Sequence, residues 1–173
     1  KTGQLSATGT AETKADKNLL AAINSKEIEV TVTATDSNFD MDNAPIVGGN
    51  YDGSEISDGI TKAFQTVNPD QLTIKEGFYG EEAGVGMMHE VLEAYIGAKV
   101  SPGIKGPTNE QVEKGTKEGK AYLKAHEKAS QLDSRFVKPN TLYDTKGIYL
   151  TKFPYDPLIP QSLNPEILIN NLR

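Results

Sequence analysis

Ala83-Gly84-Val85-Gly86-Met87-Met88-His89-Glu90-Val91-Leu92-Glu93-Ala94-Tyr95-Ile96-Gly97-Ala98 is the stretch on which the fold turns. Val85, His89, Leu92, Glu93 and Ile96 recur at helical spacing, so a helix here carries a histidine and a carboxylate among apolar residues. His89 and Glu93 are four apart and stand one above the other on that face. Glu90 follows His89 directly, where a His-Glu-x-x-His metal helix carries its general base. Glu93 replaces the second histidine, giving His-Glu-x-x-Glu. A carboxylate oxygen binds zinc at nearly the distance of an imidazole nitrogen, so metal chemistry survives the exchange. Burying Glu93 between Leu92 and Ile96 without a cation costs several kcal/mol, so a metal or a partner group is expected beside it.

Downstream, residues 101–107 read as a loop punctuated by Pro102, Gly103, Gly106 and Pro107. A second long helix is expected over 108–132, with Thr108 as N-cap and Gln111 closing a capping box. Its inward stripe is Val112, Gly115, Gly119, Tyr122, His126 and Ala129. Each interior glycine costs a helix about 1 kcal/mol, which a close approach to the His89 helix explains. His126 is the second of only two histidines in the chain. If the two helices pack, His89, Glu93 and His126 supply the three ligands of a zinc site with an open position, and Glu90 its base. Two histidines and a carboxylate also describe a non-haem iron triad. Glu90 speaks for zinc, because an oxygenase needs no base beside its ligand. The plainer alternative is a hydrogen-bonded core histidine beside solvated glutamates.

Upstream, residues 1–13 are a polar, flexible lead-in and Lys14 to Asn24 a short helix packing Leu19, Leu20 and Ile23. From Glu27 the period switches to two, with Ile28, Val30, Val32 and Ala34 alternating against Glu29, Thr31 and Thr33. The run from Asp36 to Asp42 places side-chain oxygens at alternate positions, as a calcium loop begins. Met41 and Val47 stand where such a loop needs Gly and Glu, so a polar turn accounts for it better. Further strands are expected over 46–51 and 60–67, closed by an Asn68-Pro69-Asp70 turn. Gly77, Gly80, Gly84 and Gly86 make the approach to the His89 helix tightly turned or flexible. The pattern is α+β: a small antiparallel sheet packed on two main helices. From 139 onward lie five of the nine prolines, with a hairpin expected over 141–153 around Lys146-Gly147. The chain thus divides into the lead-in, a metal-binding domain over 14–138 and a Pro-rich extension over 139–173.

With 173 residues there is chain enough for one domain to bury a core, modest at 36% hydrophobic residues and no Trp. A formal charge of −6 argues against a nucleic-acid partner, whose phosphates require a basic face. No cysteine is present, so neither disulfides nor thiolate metal sites arise. No stretch approaches the roughly 18 apolar residues of a membrane span. Beginning at Lys1 rather than Met, the chain reads as a domain excised from something longer, or as a processed product.

The run from Gly86 to Tyr95, following a strand that ends Val67-Asn68-Pro69, resembles the zincin-type metallopeptidase-like domains at the C-termini of Rhs-repeat and related polymorphic toxins. The similarity extends from about Lys14 to Pro139 and takes in Ala125-His126-Glu127-Lys128-Ala129. The resemblance implies a zincin-like fold, His89 and Glu93 as ligands, His126 as the third, and Glu90 as the base. It further implies a zinc-dependent peptidase or amide hydrolase, secreted or delivered into a target cell as part of a larger polypeptide. Peptide or protein substrate, delivery machinery and an immunity protein are the partners that go with it. In zincins an edge strand before the active helix pairs with the peptide, a role that would fall to residues 60–67. A catalytically inactive binding or structural module of a phage or injection-system assembly is the competing reading, favoured by the Pro-rich tail and polar Gly-rich loops.

Overall fold

A computed structural model describes residues 3, 6–37, 48–79, 82–133, 135, 141–143 and 149–151. Helix α1 (Lys14–Ile23) starts where Thr13 caps it. The Thr13 hydroxyl accepts from the Asp16 N–H and the Asp16 carboxylate accepts from the Thr13 N–H, a reciprocal capping box. Strand β1 (Ile28–Ala34) follows, then β2 (Gly49–Ser57) and β3 (Ile60–Val67) as a hairpin. Asp58 and Gly59 turn that hairpin with φ of 54° and 78°, the left-handed pair that matches the twist of the strands.

The sheet runs β1-β3-β2, with β1 parallel and β2 antiparallel to β3. It is a mixed sheet, where alternation alone had implied an antiparallel one. Burial explains the order: Ala63, Gln65 and Val67 on β3 are 0%, 1% and 0% exposed, so β3 takes the centre and β1 and β2 the edges. Residues 60–67 therefore cannot serve as the edge expected for them, because both sides of that strand are paired.

Where a turn was expected at Asn68-Pro69-Asp70, helix α2 (Pro69–Tyr79) begins. Asn68 accepts from the Gln71 N–H through its side chain, and Pro69, having no N–H to lose, takes the first helical position. Helix α3 (Val85–Val100) is the expected central helix, and it contacts all three strands, α1, α2 and a later helix. Its twelve buried residues include Val85, His89, Glu90, Leu92, Glu93 and Ile96. Ala94 and Ala98 meet Tyr51 and Ala63 on the sheet, while Tyr95 and Ile96 meet Ala129 on the far side. At Gly97 a Cβ would lie 2.5 Å from the Tyr51 ring, so the glycine lets helix and sheet come together.

The second long helix is broken in two: α4 (Asn109–Glu113) and α5 (Lys117–Ser130). Thr108 and Gln111 form the expected capping box on α4. Gly115 then adopts φ of 62°, and Thr116 caps a fresh helix by accepting from the Gly119 N–H. Gly119 does not face α3. A Cβ there would lie 2.5 Å from the Gln111 carbonyl oxygen and 2.7 Å from the Val112 Cα, so its small size folds α5 back on α4. Strands β4 (Thr141–Tyr143) and β5 (Tyr149–Thr151) pair antiparallel as the expected hairpin. Its turn at Lys146-Gly147, the calcium-like stretch beyond Ser37, the strand start at Ile46-Val47 and the tail past 151 lie outside the described residues. No described helix is long and apolar enough to cross a membrane.

Candidate metal centre

Helix α3 carries His89, Glu90 and Glu93 into buried positions, so each needs a partner. Its N-terminus is anchored from α2. Gly84, the N-cap residue, has a left-handed φ of 90° and no side chain with which to cap. The Glu76 carboxylate, 8% exposed, accepts instead from the Gly84 and Gly86 N–H groups at 3.0 and 2.7 Å. A carboxylate at a helix N-terminus also meets the positive end of the dipole. One turn further on comes His89, followed one turn later by Glu93.

Packing of α5 against α3 brings His126 to this pair. His126 Nδ1 donates to Glu93 Oε2 at 2.8 Å, and His89 Nε2 lies 3.5 Å from the same oxygen. The imidazole rings meet edge to face with centroids 5.0 Å apart and planes at 71°. Glu93 is 3% and His89 7% exposed. Burial on its own pushes the Glu93 carboxyl up, but the charge and hydrogen bond of His126, aided by His89, outweigh it and hold the group down at about 2.

One donor atom from each of His89, Glu93 and His126 lies within 4.8 Å of the other two. A triangle with sides no longer than that has a point within about 2.8 Å of every corner, and zinc bonds of about 2.0–2.2 Å need only small inward shifts. Tetrahedral zinc sets its ligand atoms about 3.3 Å apart, and the observed 2.8 and 3.5 Å bracket that spacing. These three residues can hold a metal ion. Two nitrogens and an oxygen suit zinc or iron better than calcium, which prefers an all-oxygen shell.

Glu90, 5% exposed, points towards the sheet. Gln65 Nε2 donates to Glu90 Oε2 at 2.5 Å, and the carboxylate lies against Gly49 at the start of β2. Tyr51, paired with Gln65 across β2 and β3, is 3% exposed, and burial raises its phenol above the ordinary range. Gln65, Gly49, Tyr51 and Glu76 all escaped sequence reasoning. A glutamine between Ala63 and Val67 in an alternating strand was the one available signal, since an inward amide there demands a polar partner.

The fold and these side chains define an α+β domain with a donor set, buried at His89 and Glu93 and half-buried at His126, able to hold a metal ion. No family model, curated protein or solved structure matches the chain.

Proposed function

We propose that the domain is a zinc-dependent hydrolase of peptide or amide bonds, acting as an effector delivered as part of a larger polypeptide. The observation that carries the reading is the convergence of His89, Glu93 and His126, with Glu90 beside His89 on the same buried helix. A zinc ion would supply Lewis acidity and a water made acidic near neutral pH.

The chain's own residues have separable tasks. His89 and His126 would each offer a nitrogen and Glu93 an oxygen to the ion. Glu90 takes a proton from the attacking water and returns it to the leaving amine. The surrounding core limits bulk water and strengthens each electrostatic contact. Strand β2 is the antiparallel outer strand; residues 104–106 already bond its Asp52–Ser54 part, so the substrate-pairing role expected of residues 60–67 falls to its Gly49 end, which adjoins Glu90. The toxin-domain resemblance of the Gly86–Tyr95 segment supports the effector role, with an immunity protein and delivery machinery as partners. Zinc is favoured over iron because an oxygenase has no task for Glu90.

Glu90→Gln tests the reading. The variant should keep one zinc per chain by elemental analysis and lose at least about a hundredfold in zinc-dependent cleavage of quenched fluorescent casein. Equal cleavage by the variant removes Glu90 from the mechanism. A zinc-free wild type after loading removes the metal centre.

A further inference from the structure

We propose that Gln65, together with Gly49, is a positioning residue that fixes the Glu90 carboxylate in its working orientation. The inference rests on the reading of Glu90 as the base at a metal centre. Gln65 is 1% exposed on the central strand, with Val32 and Tyr51 as its neighbours in register. Pairing on both sides fixes the backbone that carries its amide. Facing a carboxylate, the amide must present its NH2 group, and Nε2 donates to Glu90 Oε2 at 2.5 Å. Its other atom, Oε1, is buried with no hydrogen-bond partner among the described residues. Among the described residues Glu90 is thus the group that orients the amide.

Gly49 supplies the seat. A Cβ there would stand 2.1 Å from Glu90 Oε2 and 2.4 Å from its Cδ, so the carboxylate fills the space a side chain would take. The strand cannot retreat to make room. The Gly48 N–H donates to Gln71 Oε1, and the Gly48 carbonyl accepts from the Asn68 N–H. The choice of a neutral donor is chemically specific. A lysine or arginine at position 65 would pair with the carboxylate and weaken it as a base, and an acid would repel it. An amide holds the group while leaving its charge intact.

The test uses the cobalt-loaded protein and acetohydroxamate. This probe occupies an open metal position and hydrogen-bonds to a neighbouring carboxylate, and its binding is read from the cobalt absorption bands. Gln65→Met is nearly isosteric and removes the donor together with the unpartnered Oε1; Gly49→Ala displaces the carboxylate from the other side. Both should bind one cobalt per chain yet bind acetohydroxamate at least about tenfold more weakly than wild type. Glu90→Gln should show a loss of similar size, and Gln65→Met/Glu90→Gln should be no weaker than Glu90→Gln alone, because both changes remove the same interaction. Wild-type affinity in Gln65→Met, or losses that simply add in the double variant, overturns the proposal. A wild type that takes up no cobalt, or a Glu90→Gln variant with unchanged probe affinity, overturns the metal-centre or base reading itself. Those outcomes are distinct from a failure at Gln65.

Discussion

Zinc should raise the melting temperature of the wild-type domain, and Glu93→Gln should abolish that rise. The substitution keeps the size of the side chain and its capacity for hydrogen bonds but removes the one anionic ligand. Glu93 Oε2 already lies 2.8 Å from His126 Nδ1 and 3.5 Å from His89 Nε2, so metal uptake requires displacement of a proton more than movement of the backbone. A ligand that binds only the folded state at 100 times its dissociation constant stabilises by about 2.7 kcal/mol. For a chain of this length each kcal/mol is worth about 2–4 °C, so the expected rise is about 5–11 °C. The assay is differential scanning fluorimetry with zinc, with chelator and with neither. In Glu93→Gln the three curves should coincide within about 2 °C, since an amide is a poor zinc ligand and two histidines alone bind weakly. A wild-type curve that zinc does not move refutes the donor-set argument. An undiminished rise in Glu93→Gln places the metal elsewhere.

Gly97→Ala should destabilise by about 1–3 kcal/mol in urea titration, because the new Cβ meets the Tyr51 ring at 2.5 Å and both partners are held in the core. Glu76→Ala strips the cap from the Gly84 and Gly86 N–H groups and should cost about 1–2 kcal/mol by the same measurement, with fraying of the first turn of α3 seen in hydrogen exchange. Acid should unfold the metal-free protein through Glu93. Its carboxyl is held down at about 2 in the fold against an ordinary 4.5, so its stabilisation is present above pH 4.5 and is lost as pH falls from there towards 2. Glu93→Gln should flatten that part of the stability–pH curve. Gly119→Leu should lower the melting temperature by overpacking α5 against α4 while leaving zinc uptake intact, since Gly119 meets Gln111 and Val112 and not the donor set.

Local chemistry in the sequence was enough to define much of this protein. The α3 helix, the pairing of His89 with Glu93, and the β1 and β3 strands follow from periodicity, because side-chain burial repeats with the geometry of each element. The Thr108–Gln111 capping box follows from two residues at a fixed spacing. His126 was legible as a third donor only because the chain has a single other histidine, which left little to choose among. Tertiary structure decided the rest. No local rule distinguishes a parallel from an antiparallel neighbour for β1; the order β1-β3-β2 arises because β3 carries the most buried face and must be covered on both sides. The break at Gly115 and the approach of Gly119 to α4 depend on where α5 must lie to meet α3. Glu76 as cap of α3 and Gln65 as partner of Glu90 join groups 10 and 25 residues apart. Only the folded chain brings such groups within hydrogen-bonding distance, because a contact of that range is set by how the elements pack and leaves no periodic trace in either segment.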